Sequence, residues 1–168
     1  MTSTVDKPKA QAPAQHAAFG LPGRIQTPNS RPRSIALVGL GEGGASIARA
    51  VAAERPAHLE VHVLAKSAAG GNAVAAIQAG GGDLQRDLTT ADMIFIVARR
   101  GDDVGLASVV SGIAHSRNHP VTALYIVPDG DGSADEDATL KTLRTAVEML
   151  VVVSDESYVP AMIAALGS

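Results

Sequence analysis

The residues best suited to chemistry come early in the chain, where Gly39-Leu40-Gly41-Glu42-Gly43-Gly44 has the spacing G-x-G-x-x-G. Glycines so placed let backbone N–H groups approach a phosphate at the positive end of a helix. A mononucleotide or NAD(P) is the ligand class such a loop would take. The same spacing also makes a tight strand-to-helix turn that packs closely and binds nothing. The NAD form asks for a carboxylate about 20 residues further on, at the end of a second strand. There the chain reads Ala65-Lys66-Ser67, while Glu60 stands at the other end of that strand. Lys66 could face a 2′-phosphate, and Glu42 brings a negative charge to the phosphate's place.

Other reactive side chains form weaker patterns. His58/His62 and His115/His119 share an i, i+4 spacing that can put two imidazoles on one helix face. His62 falls in a predicted strand, however, and His119 precedes Pro120, which disfavours helix. Surface histidines are therefore expected, and no metal site. Asp129, Asp131, Asp135, Glu136 and Asp137 form an acidic stretch whose expected task is to cap the following helix. Ser67, Ser108, Ser111 and Ser154 have neither a His/Asp partner pattern nor a G-x-S-x-G elbow, so no nucleophile is expected.

These residues must be held by a regular alternation of elements. Ile35–Val38 is a short apolar run of the kind buried on both faces of a parallel sheet. A helix over 45–54 follows, stopped by Pro56. Further strands are predicted at 61–65, 93–97, 121–127 and 150–153, with helices at 72–79, 104–115 and 137–149 and a short one at the end. Strand–helix alternation predicts a three-layer, doubly wound α/β fold with a mostly parallel sheet of about five strands.

Composition narrows the function classes. The 168 residues include no Cys and no Trp, and aromatic residues are 2%. Disulfides and thiolate metal sites are excluded, and a stacking platform for single-stranded nucleic acid is disfavoured. Residues 1–34 carry five basic side chains against Asp6 alone, a balance of +4, and residues 1–33 read as a disordered basic leader. The rest, 35–168, carries 9 basic and 16 acidic side chains, a balance of −7. An acidic body disfavours nucleic acid as a partner. No apolar run reaches a membrane span, and a cytoplasmic single domain over 34–168 is expected.

Three segments taken together resemble the N-terminal GTPase half of the FtsZ/tubulin superfamily. IALVGLGEGGASIARAV is similar to the family's first strand, glycine loop and helix. ADMIFIVARRGDDVGLASVVSGIA is similar to its strand, glycine-threonine loop and following helix, and LKTLRTAVEMLVVVSDESYV to the helix, strand and loop before its central helix. The resemblance implies an FtsZ-like fold over 34–160 and candidate or vestigial nucleotide loops. These comprise Gly39, Gly41, Glu42, Gly43, Gly44 and Ser46 in the first, and Gly101, Asp102, Asp103 and Gly105 in the second.

The departures set the functional expectation. Where the family wraps phosphates with glycines and threonines, this chain has Arg99-Arg100-Gly101-Asp102-Asp103-Val104-Gly105-Leu106-Ala107. Each carboxylate beside a polyphosphate costs on the order of several kcal/mol at an effective dielectric near 20. Ser46 replaces a base-contacting Asn, and the family's catalytic acidic residues have no counterpart. GTP hydrolysis is expected to be lost. The expected protein is then a pseudo-GTPase acting through protein contacts, as a homodimer or with a protein partner, or as an accessory or regulatory subunit. GTP/GDP or NAD(P) over Gly39–Gly44 is the alternative.

Overall fold

The computed structural model describes residues 32–65, 83–128 and 137–166. Its elements alternate: β1 Ile35–Leu40, α1 Gly41–Ala53, β2 Leu59–Leu64, α2 Leu84–Thr90, β3 Met93–Arg99, α3 Ala107–His115, β4 Val121–Ile126, α4 Ala138–Ala146, β5 Met149–Val153 and α5 Tyr158–Leu166. The five strands form one sheet in the order β2-β1-β3-β4-β5, with every neighbouring pair parallel. Helices flank the sheet, giving the doubly wound α/β fold that the alternation predicts.

The central strand β1 shows why its sequence is apolar throughout. Successive side chains point to opposite faces, so Ile35 and Leu37 enter one core while Ala36, Val38 and Leu40 enter the other. The first core packs against Ile47, Ala48 and Val51 of α1 and Val159 and Ile163 of α5. The second packs against Leu84 and Leu88 of α2, Val110 and Ala114 of α3, and Leu140 and Leu143 of α4. Burial of each such Val, Leu or Ile side chain stabilises by about 1.5–3 kcal/mol. With almost no aromatic residues to fill space, fully buried alanines (Ala36, Ala48, Ala98, Ala123) let the helices lie close to the sheet.

The third helix starts at Ala107 rather than 104, and the fourth ends at Ala146 rather than 149, so that β5 begins at Met149. Three further features differ from the sequence expectation. The strand β1 runs on through Gly39 and Leu40, and α1 starts at once, so the glycine loop is a turn without length. Gly41 takes that corner with a φ of +68°, a backbone state glycine adopts without a Cβ penalty. The helix α2 is new. Asp83 starts it by accepting from the Arg86 amide at 3.1 Å, and Leu84 and Leu88, four apart, bury its inner face. His62 is no surface histidine: it is buried on β2, with Nε2 3.1 Å from Oδ2 of Asp87 on α2. The predicted helix over 72–79, Lys66, Ser67, the leader up to residue 31 and residues 129–136 lie outside the described residues. Among the described residues, no helix is long and apolar enough to cross a membrane.

Candidate functional site

Doubly wound sheets bind ligands beyond the strand C-termini, where the chain order reverses. Here that point lies between β1 and β3, which are direct neighbours although β2 lies between them in sequence. The two candidate loops, after β1 and after β3, therefore face each other across the crevice.

The crevice is closed by Asp102. Its Oδ1 accepts from the Gly43 amide at 2.8 Å, and its Oδ2 accepts from the Gly44 amide at 2.8 Å and from the Arg99 amide at 2.6 Å. The N-cap residue of α1 is Leu40, which has no side-chain oxygen and makes no capping bond. The first turn of α1 is thus capped from a strand away, by a carboxylate 58 or 59 residues distant in sequence. An anion at a helix N-terminus interacts favourably with the exposed N–H groups and the helix dipole. The expected conflict between Asp102 and a bound polyphosphate takes another form, since the carboxylate itself holds the amides a phosphate would use.

Local sequence explains how Asp102 reaches this place. The chain reverses after β3 over Arg99-Arg100-Gly101-Asp102, closed by the Asp102 amide on the Arg99 carbonyl at 3.0 Å. Gly101 has a φ of +84°, the value that the third residue of a type II turn requires. A Cβ there would meet nothing within 4 Å, so glycine serves the backbone rather than clearance. On the far side, the Asp102 carbonyl accepts from the Thr139 hydroxyl at 3.1 Å.

The remaining candidates divide between packing and surface. Gly39 sits inside the sheet, in register with Val63 and Val97. A Cβ on Gly44 would lie 2.2 Å from the Val97 carbonyl oxygen. A Cβ on Gly41 would lie 2.4 Å from that of Asp102, and one on Gly43 would lie 2.7 Å from that of Arg99. The glycine spacing thus follows from α1 pressing against β3 and its turn. Glu42 is exposed. Asp103 is exposed too, and its Oδ1 accepts from the Gly105 amide at 3.0 Å, so that amide is also held by a carboxylate. Ser46 is exposed and faces an open cleft of about 370 Å³ between α1 and α5, whose lining includes Glu54, Asp155 and Glu156.

A second polar group, which sequence reasoning did not assemble, borders the crevice. The buried Tyr125 hydroxyl donates to Asp137 Oδ2. Asp137 Oδ1 caps α4 by accepting from the Thr139 and Leu140 amides at 2.9 and 3.3 Å. Arg100 Nε stands 3.6 Å from Asp137 Oδ2 with its side chain mostly buried, so Arg100 is more than the solvated loop residue the sequence suggests. Burial pushes the Asp137 carboxyl up, but the Tyr125 hydroxyl, the two amides and Arg100 outweigh it and leave it below its ordinary value. Burial, then the Asp137 contact, raises the Tyr125 phenol well above its usual range. Only the capping role of Asp137 was legible in the sequence. Arg99, by contrast, stays largely exposed, 3.9 Å from Glu156.

No family model and no curated protein matches the chain. Among the described residues, no group of three or more His, Asp or Glu is placed to hold a metal ion.

Proposed function

We propose that this chain is a non-catalytic, FtsZ-like α/β module that folds without nucleotide and acts through protein contacts. The observation that supports this reading is the Asp102 carboxylate on the Gly43, Gly44 and Arg99 amides. A phosphate at α1 would have to expel it, and both oxygens already carry good hydrogen bonds. The glycine pattern needs no ligand, because the contact of α1 with β3 accounts for it.

Thermal-shift titration with GTP, GDP and their magnesium complexes tests the proposal. The expected result is no shift in midpoint. A rise of several degrees, or phosphate release from GTP, would overturn it. The alternative, a mononucleotide or NAD(P) seated over Gly41–Gly44, is favoured by one observation: the crevice lies at the order reversal of the sheet. It requires the Arg99–Asp102 turn to move away from α1.

A further inference from the structure

The helix α5, Tyr158-Val-Pro-Ala-Met-Ile-Ala-Ala-Leu166, has no charged side chain at all. Val159 and Ile163 face the core and are buried, which satisfies one side. The opposite side is also apolar, since Tyr158 is 46% exposed and Ala161 and Ala164 are exposed. A helix on the surface of a globular protein ordinarily turns polar residues outward, and one that is apolar all round is ordinarily buried.

The flanks of this ridge differ in character. On one side Met162 and Leu166 border a mostly apolar groove of about 470 Å³ that runs over the sheet to Met93, Phe95 and Met149, with Arg33, Asp92 and Glu148 also in its lining. The chain has four methionines, and three of them line this groove. Methionine is the unbranched, adaptable side chain found on surfaces that receive apolar ridges of varied shape. Met149 is 58% exposed there. On the other side Pro160 borders the cleft toward α1, where Glu54, Asp155 and Glu156 bring three carboxylates. Arg99 lies near Glu156, at 3.9 Å, and offsets part of that charge.

We infer that α5 and its two grooves form a docking surface for an amphipathic helix of a partner protein, one with a basic stripe beside its apolar stripe. The apolar stripe sits on the α5 ridge and the methionine groove, and the basic stripe faces Glu54, Asp155 and Glu156. Charge selects this occupant. A second copy meeting through this same surface would bring the same carboxylates, and an anionic membrane surface would be repelled by them. The inference deepens the protein-contact reading above and names the partner class on which that reading is silent.

The probe is a synthetic helix of about 18 residues with Leu at i, i+3, i+4 and i+7 and Lys along one adjoining flank. Its control carries Glu at the Lys positions. Fluorescence anisotropy is expected to show the Lys peptide binding at least about tenfold more tightly than the Glu peptide, with affinity falling as salt rises. Two exposed substitutions, Ala161→Gln on the ridge and Glu54→Lys in the cleft, are each expected to weaken Lys-peptide binding several-fold, with circular dichroism unchanged. Equal binding of the two peptides, binding of neither, or indifference to both substitutions would overturn the inference. So would a wild-type dimer in sedimentation that Ala161→Gln dissociates, because the occupant would then be a second copy. The nucleotide titration is separate: a GTP shift with peptide binding intact defeats only the closed crevice, and the reverse defeats only this surface.

Discussion

Removal of the Asp102 side chain is the most informative perturbation of this molecule. In Asp102→Ala, three amides lose their acceptor at once: Gly43 and Gly44 in the first turn of α1, and Arg99 at the end of β3. Loss of a side-chain helix cap costs about 1–2 kcal/mol. Loss of the anion at the helix N-terminus adds about 0.3–1 kcal/mol. Asp102 is only part-buried, so water can reach some of the vacated N–H groups and limit the penalty. A total near 2 kcal/mol is expected. For a folded body of this size that lowers the midpoint by roughly 6–10 °C. Thermal and urea unfolding followed by circular dichroism measure both. Asp102→Asn is the comparator: it keeps one carbonyl acceptor but turns an NH₂ toward an amide donor, and should lose about as much. Inorganic phosphate should restore part of the loss in Asp102→Ala and leave the wild type unchanged. A variant that melts within about 1 °C of wild type would refute the reasoning, because the carboxylate would then contribute nothing as a cap.

Other outcomes follow from the same geometry. Gly44→Ala places a methyl 2.2 Å from the Val97 carbonyl oxygen, backbone that cannot move aside. It should cost more than about 3 kcal/mol or prevent folding, read as lost urea midpoint or insoluble expression with or without nucleotide. A substitution at Gly44 therefore reports on packing, and a loss of function there says nothing about a ligand. Tyr125→Phe removes the hydroxyl donor from Asp137 and should cost about 1–2 kcal/mol at pH 7 by urea unfolding. The pH dependence has a definite sign. The Asp137 carboxyl is lowered in the folded state from its ordinary 3.8, so its contribution is whole above that value and fades as pH falls through the folded pKa. The gap between wild type and Tyr125→Phe should accordingly narrow in acid, and a gap that widens there would contradict the assignment.

The sheet was legible because burial on both faces demands continuous apolar runs, which 93–97 and 121–127 carry without ambiguity; 150–153 carries one too, although β5 is a half-exposed edge strand. Their ends were less so. The run at 35–38 continues into Gly39 and Leu40 because a glycine in register with Val63 and Val97 still belongs to the ladder. The helix α2 was missed because its signal is short, an Asp83 cap with Leu84 and Leu88, overshadowed by the glycines before it. The buried His62–Asp87 contact joins elements 25 residues apart, and no spacing rule connects them. The candidate site was legible in its parts and not in its arrangement. Gly41 to Gly44 and Asp102 can each be read from the sequence as nucleotide-loop positions. That one supplies the anion for the other depends on β1 and β3 being neighbours, a property of topology. Ser46 parts from the group for a similar reason, since the helix turns it toward α5.

The Asp102 contact has a consequence for how this protein responds to its surroundings. A nucleotide-binding protein is stabilised by mass action, in proportion to RT ln(1 + [L]/Kd), so its folded population follows the supply of ligand. A carboxylate attached to the same chain is present at a fixed effective concentration, on the order of millimolar for a flexible short tether. The Arg99–Asp102 turn, closed by its own hydrogen bond, is stiffer than that. On the proposed reading the molecule has in effect a ligand that cannot be diluted, exchanged or hydrolysed, and its stability is expected not to follow the supply of nucleotide.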